Sequence, residues 1–171
     1  MKITEAQSLI AQAGLPGGTW ADLGAGSGLF SAALAQLLPA GSTIYAIDIH
    51  PPEKIVYPIP SDIQIIPMQQ DFVQQPLSMG GLSGILMANS LHYVADKKSL
   101  VRQLKTHMEP TAIFIIVEYE TDQANPWVPY PIPFQALTRL MQQVGFGQSI
   151  YLGDRPSVFR SGKMYAATFR Q

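Results

Sequence analysis

The chain has 171 residues and a formal net charge of −1, from 11 Lys plus Arg against 12 Asp plus Glu, so it carries no basic field for a nucleic-acid backbone. Apolar residues make up 47% and charged residues 13%, against roughly 25% charged in an average soluble domain. This composition excludes a disordered chain and predicts a high buried fraction, a partner surface or a neutral polar surface, the last favoured by the many glutamines.

The absence of cysteine excludes disulfides, thiolate metal sites and cysteine nucleophiles, and it fits a cytoplasmic location. The N-terminal residues, up to Gly18, lack the apolar run of a secretory signal. No apolar stretch reaches the roughly 18 residues of a membrane span, which predicts a soluble protein.

In chain order, Thr4 to Ala13 spaces its apolar residues as an amphipathic helix, with Thr4 as N-cap and Gly14 as the stop. A short strand follows at Thr19 to Leu23, then a glycine run, then an apolar helix over Leu29 to Leu38 stopped by Pro39 and Gly41. Ser42 to Asp48, Ile63 to Pro67, Leu82 to Ala88 and Ala112 to Val117 read as four more strands. Their runs are continuously apolar, as in strands covered on both faces. Helical patterns at Asp96 to His107 and Phe134 to Val144 separate some of them, and strand–helix alternation implies a doubly wound, mostly parallel α/β sheet. Ser149 to Leu152 and Lys163 to Phe169 read as two closing strands joined by a turn-rich segment without a helix, an antiparallel ending.

Two segments break the pattern. Pro51, Pro52, Pro58 and Pro60 remove or reduce the helix expected after the second strand. Asn125 to Pro133 holds four prolines with Trp127 and Tyr130, which predicts a rigid aromatic loop. With no repeat and no boundary in view, residues 1–171 read as one domain opened by an N-terminal helical segment over 1–18.

The sharpest motif is Asp22-Leu23-Gly24-Ala25-Gly26-Ser27-Gly28, set between a strand and a helix. Glycines there permit a tight turn and let a ligand approach the backbone. No lysine or arginine occurs between Lys2 and Lys54, so the lysine of a triphosphate loop is missing. A dinucleotide loop expects a third glycine where Leu29 stands, and Asp22 would repel a pyrophosphate. A ligand bearing an ammonium and a sulfonium would be attracted instead. Asp48 ends the second strand 20 residues after Gly28, where a carboxylate can accept both hydroxyls of a ribose. Gln70-Asp71-Phe72 follows the third strand with a carboxylate and a ring suited to an adenine.

On these residues the sequence resembles the class I S-adenosylmethionine-dependent methyltransferases over roughly Trp20 to Phe169. Asp22 to Gly28 matches the family's first motif, and the resemblance implies cofactor contacts from Asp22, Gly24, Ala25, Gly26 and Gly28. It further implies that Asp48 holds the ribose, that Ile49 packs on the adenine, and that Asp71 with Phe72 meets the adenine amino group. Ala88-Asn89-Ser90-Leu91-His92 is similar to the fourth motif, which implies that Asn89 and Leu91 lie by the methionine part. The implied fold is a seven-stranded sheet of order 3-2-1-4-5-7-6 with strand 7 antiparallel.

For the methyl acceptor the candidates are His92 and Glu118 as catalytic groups and Tyr93, Trp127 and Tyr130 as substrate contacts. Glu120 reads as solvated, Arg139 and Arg155 as surface ion-pair partners or, in the alternative, as contacts for an anionic substrate, and His107 with Lys97 and Lys98 as an exposed helix face. No Asp/Asn-Pro-Pro-Tyr/Phe sequence follows the fourth strand, which argues against nucleic-acid bases as acceptors, and no acidic cluster suggests a metal. The expectation is a methyltransferase with S-adenosylmethionine as cofactor and a small-molecule acceptor. The alternative is a cofactor-binding protein or subunit without turnover; a nicotinamide oxidoreductase is disfavoured by Leu29 and Asp22.

Overall fold

In the computed structural model of the chain, seven strands form one sheet in the order β3-β2-β1-β4-β5-β7-β6. The structure describes residues 1–11, 14–156 and 162–171. The strands are β1 (Thr19–Leu23), β2 (Thr43–Asp48), β3 (Gln64–Gln69), β4 (Leu82–Ala88), β5 (Met108–Tyr119), β6 (Gln148–Pro156) and β7 (Lys163–Arg170). The first five run parallel, and β7 lies antiparallel to both β5 and β6.

The helices are α1 (Ile3–Ile10), α2 (Leu29–Ala35), α3 (Lys97–Lys105) and α4 (Phe134–Gln143). The continuous apolar runs split between two cores because side chains alternate across a strand. Ile113, Ile115 and Val117 of β5 join α1 and α2 on one face, whereas Phe114 and Ile116 join α3 and α4 on the other. Across the centre of the sheet Trp20 of β1 pairs with Gly84 of β4, and the fully buried indole occupies the space a side chain at 84 would need. Its Nε1 donates to Pro16 O at 3.0 Å, which satisfies the one polar atom of the ring.

Several boundaries differ from those read in the sequence. Lys2, not Thr4, is the N-cap of α1: Glu5 reaches back to accept the Lys2 N–H at 2.6 Å. The predicted end of that helix at Ala13 lies outside the described residues, and the observed helix stops at Ile10. Residues 157–161 of the turn-rich segment before β7 also lie outside them, and its first four residues belong to β6. α2 ends at Ala35 rather than Leu38, with the Leu37 and Leu38 N–H groups both directed at Leu34 O in a last tightened turn. β5 and β6 are longer than expected at both ends: Met108 pairs with Leu82 of β4 at the start of β5, and β7 supplies ladder partners for Glu118, Asp154 and Arg155.

Between β2 and β3 no helix forms; the proline-rich chain instead passes over α2 in a series of bends. Gln36 Nε2 donates to Pro58 O at 3.0 Å, and Ile55 is buried against Gly28. Pro67 is tolerated inside β3 because that strand lies at the sheet edge.

Candidate active site

The parallel strands all end on one edge of the sheet, and the loops leaving that edge surround a cavity of about 520 Å³. After β1 the chain turns sharply, with Gly24 and Ala25 N–H groups both donating to Ile47 O at 2.8 and 3.1 Å. Gly24 has φ +79°, and a Cβ there would sit 2.4 Å from the Ser90 Cβ, so the β1 and β4 loops touch only because residue 24 has no side chain. Ser90 Oγ closes the same contact by donating to Leu23 O at 2.6 Å. Gly26, at φ +52°, borders open space, so its backbone faces the cavity uncovered.

Asp48 stands opposite. Its Oδ2 accepts from Gly26 N at 2.9 Å and its Oδ1 from His50 N at 2.9 Å, which fixes the carboxylate at the cavity wall. A carboxylate has about four acceptor positions, so two amides leave capacity for hydroxyl donors. Asp71 is bound in the same way after β3: Oδ1 accepts from Val73 N at 3.0 Å and Gln74 N at 3.2 Å. Phe72 beside it is largely buried with Leu23 and Ile47 yet lines the cavity, and Ile49 is 51% exposed there.

Asn89 follows β4 and is the one non-glycine with positive φ, at +56°, among the described residues. Its side-chain Oδ1 is buried without a hydrogen-bond partner while the residue lines the cavity. Such a left-handed backbone costs on the order of 1 kcal/mol and persists where the surroundings hold it. The orphaned oxygen asks for a donor.

Asp22 lies elsewhere than the sequence suggests. It is 1% exposed beneath the glycine loop and does not line the cavity; Ser31 of α2 donates to Oδ2 at 2.5 Å and Oδ1 has no partner. Burial, the largest cause, lifts its carboxyl from 3.8 to about 7; the Ser31 bond opposes the rise and the charge of Asp48 adds to it. Between those two values the folded protein holds a proton that the unfolded chain has lost, so stability falls as pH rises from about 4 to 7 and levels off above. Asp22→Asn is therefore expected to melt higher than the parent at pH 8 and close to it at pH 4. Thermal melts across that range check this, and an equal gap at both ends assigns the slope to another group.

On the far side of Asn89 a buried pair joins β4 to β5. Glu118 Oε2 lies 2.7 Å from His92 Nδ1, and Oε1 accepts from His92 N at 3.0 Å. A carboxylate oxygen at that distance accepts a hydrogen bond from the Nδ1–H. Both side chains are buried, and His92 O accepts from Tyr130 N at 2.9 Å, so the pair also anchors the proline-rich loop. Lys97 lies close behind. It is buried rather than part of an exposed face: Nζ donates to Val94 O at 2.7 Å and sits 5.6 Å from the Tyr130 ring centre. Burial holds the Lys97 ammonium below its usual range, with the charge of Glu118 working the other way.

Of the residues singled out in the sequence, Gly24, Gly26, Asp48, Ile49, Asp71, Phe72, Asn89 and Tyr93 line the cavity. Ala25, Gly28 and Leu91 shape it from behind: Ala25 and Leu91 are buried and Gly28 packs on Ile55. Trp127 and Tyr130 are exposed on the proline-rich loop beyond its lining. Val73, Gln74, Ser90 and Val94 complete the wall and were missed, since neighbours of a motif carry no mark of their own.

Three surface readings are also corrected. Glu120 is half-buried and accepts the first N–H of α4, from Phe134, at 3.2 Å; His107 Nδ1 lies 2.7 Å from Met79 O; Arg139 has no ion pair among the described residues. Arg155 does pair, with Glu5 at 3.0 Å. Among the described residues no three His, Asp or Glu side chains gather as a metal site, and no helix is long and apolar enough to cross a membrane.

No curated protein matches the sequence significantly. Solved structures share the fold. An arsenic(III) S-adenosylmethionine methyltransferase from Chlamydomonas reinhardtii superposes with TM-score 0.66 at 16% identity, covering 97% of this chain and 69% of that one. The 1,6-didemethyltoxoflavin N1-methyltransferase of Burkholderia thailandensis, bound to 1,6-didemethyltoxoflavin and S-adenosylhomocysteine, gives 0.68 at 18% identity, covering 99% and 77%. Magnesium protoporphyrin IX methyltransferase from Synechocystis, with bound S-adenosylhomocysteine, gives 0.66 at 17%, covering 98% and 81%. The chain spans little more than half, 56% and 54%, of two further solved chains of the same fold, one of them the mitomycin 7-O-methyltransferase. The family model for the methyltransferase domain matches residues 2–147, a span that contains every residue lining the cavity. By that match the chain belongs to the methyltransferase-domain family, built on the seven-strand Rossmann-like sheet of the S-adenosylmethionine-dependent methyltransferases.

Proposed function

We propose that the protein binds S-adenosylmethionine in this cavity and transfers its methyl group to a small-molecule acceptor entering past Tyr93. The observation that carries this reading is Asp48, fixed by the Gly26 and His50 amides at the end of β2 with acceptor capacity left toward the cavity. A vicinal pair of ribose hydroxyls is the natural donor for it. The lining contains two carboxylates and no cation, which suits a ligand with positive charge and no phosphate. Asn89 Oδ1, buried and unpartnered, fits the ammonium of the methionine part, and Phe72, Ile49 and Asp71 fit the adenine.

S-adenosylmethionine held here would supply an activated methyl group on its sulfonium and would leave as the thioether S-adenosylhomocysteine. The chain's own work is alignment and exclusion of water. Gly24 and Gly26 let backbone approach the ligand, and Leu91 wedges the β4 loop from the core. His92 and Glu118, both buried, are read as positioning residues that hold the loops bearing Tyr93 and Tyr130. Residues 1–171 are read as one domain, because both cores pack on the same sheet.

Calorimetry with S-adenosylhomocysteine and NAD tests the cofactor. Binding of the first alone is expected; binding of NAD alone overturns the reading. Transfer of labelled methyl to small acceptors then separates an enzyme from a cofactor-binding subunit, a second reading that the exposed aromatic residues favour.

A further inference from the structure

Glu120 after β5, the first turns of α4, Tyr151 of β6 and Lys163 of β7 enclose a second cavity of about 350 Å³, which shares no residue with the first. Its size lies at the small end of ligand pockets, with room for a single-ring molecule. Its charge is the reverse of the first. Two cations, Arg139 and Lys163, and one carboxylate, Glu120, line it, whereas the cavity by the glycine loop has two carboxylates and no cation.

We infer that this cavity is a second ligand site and takes a small aromatic carboxylate, its ring against Phe134 and Tyr151 and its carboxylate on Arg139. The Phe134 and Tyr151 rings meet edge to face with centroids 5.0 Å apart, and both residues line the cavity. The buried Tyr165 ring braces them, 5.8 Å from Phe134 and 6.5 Å from Tyr151. Tyr151 is also held at its far end. Its Oη donates to Asp154 Oδ2 at 2.6 Å, and the same oxygen accepts from Lys163 Nζ at 2.8 Å. Rings fixed in this way bind a flat partner at little entropic cost.

Charge selects the anionic group and its direction. Arg139 is exposed one helical turn beyond Gln135, on the side of α4 away from the buried Leu137 and Met141, and has no ion pair among the described residues. A guanidinium matches a carboxylate with two parallel hydrogen bonds. Lys163 uses one N–H on Asp154 and has two more to offer. Glu120 is the opposing charge. Its Oε2 accepts from Phe134 N at 3.2 Å, which holds it at the start of α4, and Arg139 stands about 7.5 Å further along the helix axis. A carboxylate is therefore drawn to the Arg139 end, and Glu120 orients the ligand rather than barring it.

Backbone-amide NMR of the full chain tests this, with benzoate, benzamide and cyclohexanecarboxylate as probes. Benzoate is expected to give saturable shifts at the Ala136, Arg139, Tyr151 and Lys163 amides and none at Gly24, Gly26 or Asn89. Benzamide, which lacks the charge, and cyclohexanecarboxylate, which lacks the aromatic ring, are expected to bind about tenfold more weakly. Arg139→Gln changes an exposed residue and leaves the fold intact, and it is expected to weaken benzoate about tenfold, with Arg139→Lys recovering part of the loss. Benzamide or cyclohexanecarboxylate binding as tightly as benzoate, full affinity in Arg139→Gln, or no saturable shift at the four amides overturns the inference. So do shifts at Gly24 and Gly26 in their place, which put benzoate in the first cavity. No cofactor is present in the titration, so its outcome is independent of the methyl-transfer reading.

Discussion

Replacing Asp48 by alanine is expected to weaken S-adenosylhomocysteine binding by about a hundredfold while leaving the fold intact. A hydrogen bond to a charged group is worth about 1.5–3 kcal/mol, and two ribose hydroxyls on one carboxylate bring the loss to about 3 kcal/mol or more. The stability cost is small by comparison. The Gly26 and His50 amides that Asp48 now engages are exposed, so water replaces the carboxylate when it is removed. Asp48→Asn is expected to fall between the two, since it keeps one acceptor but turns an NH2 toward one of the amides. Calorimetry paired with a melting curve checks both variants. Full affinity in Asp48→Ala removes the residue from the site, and a large drop in melting temperature means that the loop itself has collapsed.

The second large effect concerns the sheet. Gly84→Ala is expected to lower the melting temperature by about 10 °C, because a Cβ at residue 84 would lie 2.3 to 2.5 Å from three atoms of the Trp20 indole. Overpacking of this kind costs about 1–3 kcal/mol, and the upper end applies where neither partner can move. Trp20 is fully buried and tethered through Nε1 to Pro16, and both residues sit on the central strands β1 and β4. Trp20→Phe, whose ring is smaller, is expected to recover part of the loss when combined with Gly84→Ala. A double-mutant cycle by thermal or denaturant melts reads the coupling, and additive losses mean that the two side chains do not share the space.

How far the sequence discloses this molecule depends on whether a signal is local. The run Leu82 to Ala88 reads as a strand at its observed bounds, since every residue is small or apolar and glycine, proline or polar residues flank it. The loop from Asp22 to Gly28 is legible because Gly24, Gly26 and Gly28 all take positive φ. The ends of β5 and β6 are not legible, because Glu109 and Pro110 sit in an irregular stretch between the Met108 and Ile113 pairs, and Asp154 and Arg155 resemble turn residues until β7 engages them.

The same division holds in the candidate site. Asp48 and Asp71 are marked by their place at strand ends, whereas Lys97, directly after the N-cap Asp96, looks like any solvated first-turn lysine. Its burial follows from packing near Glu118 and the proline-rich loop, which are distant in sequence. His92 and Glu118 are each conspicuous, but their contact exists only because β4 lies beside β5. Asp22 shows the opposite error: its position in the motif was plain, and its orientation beneath the loop toward Ser31 was not.

Asn89 leaves the empty protein less stable than it could be. A left-handed backbone and a buried amide oxygen without a donor are both costs to the ligand-free fold, and glycine would remove both while giving up some chain entropy. Asn89→Gly is therefore expected to outlast the parent by about 1 kcal/mol in ligand-free melts and to surrender that lead once S-adenosylhomocysteine is saturating. Such a reversal of rank would identify residue 89 as a place where durability is exchanged for activity, and a poor target for any attempt to make the protein hardier.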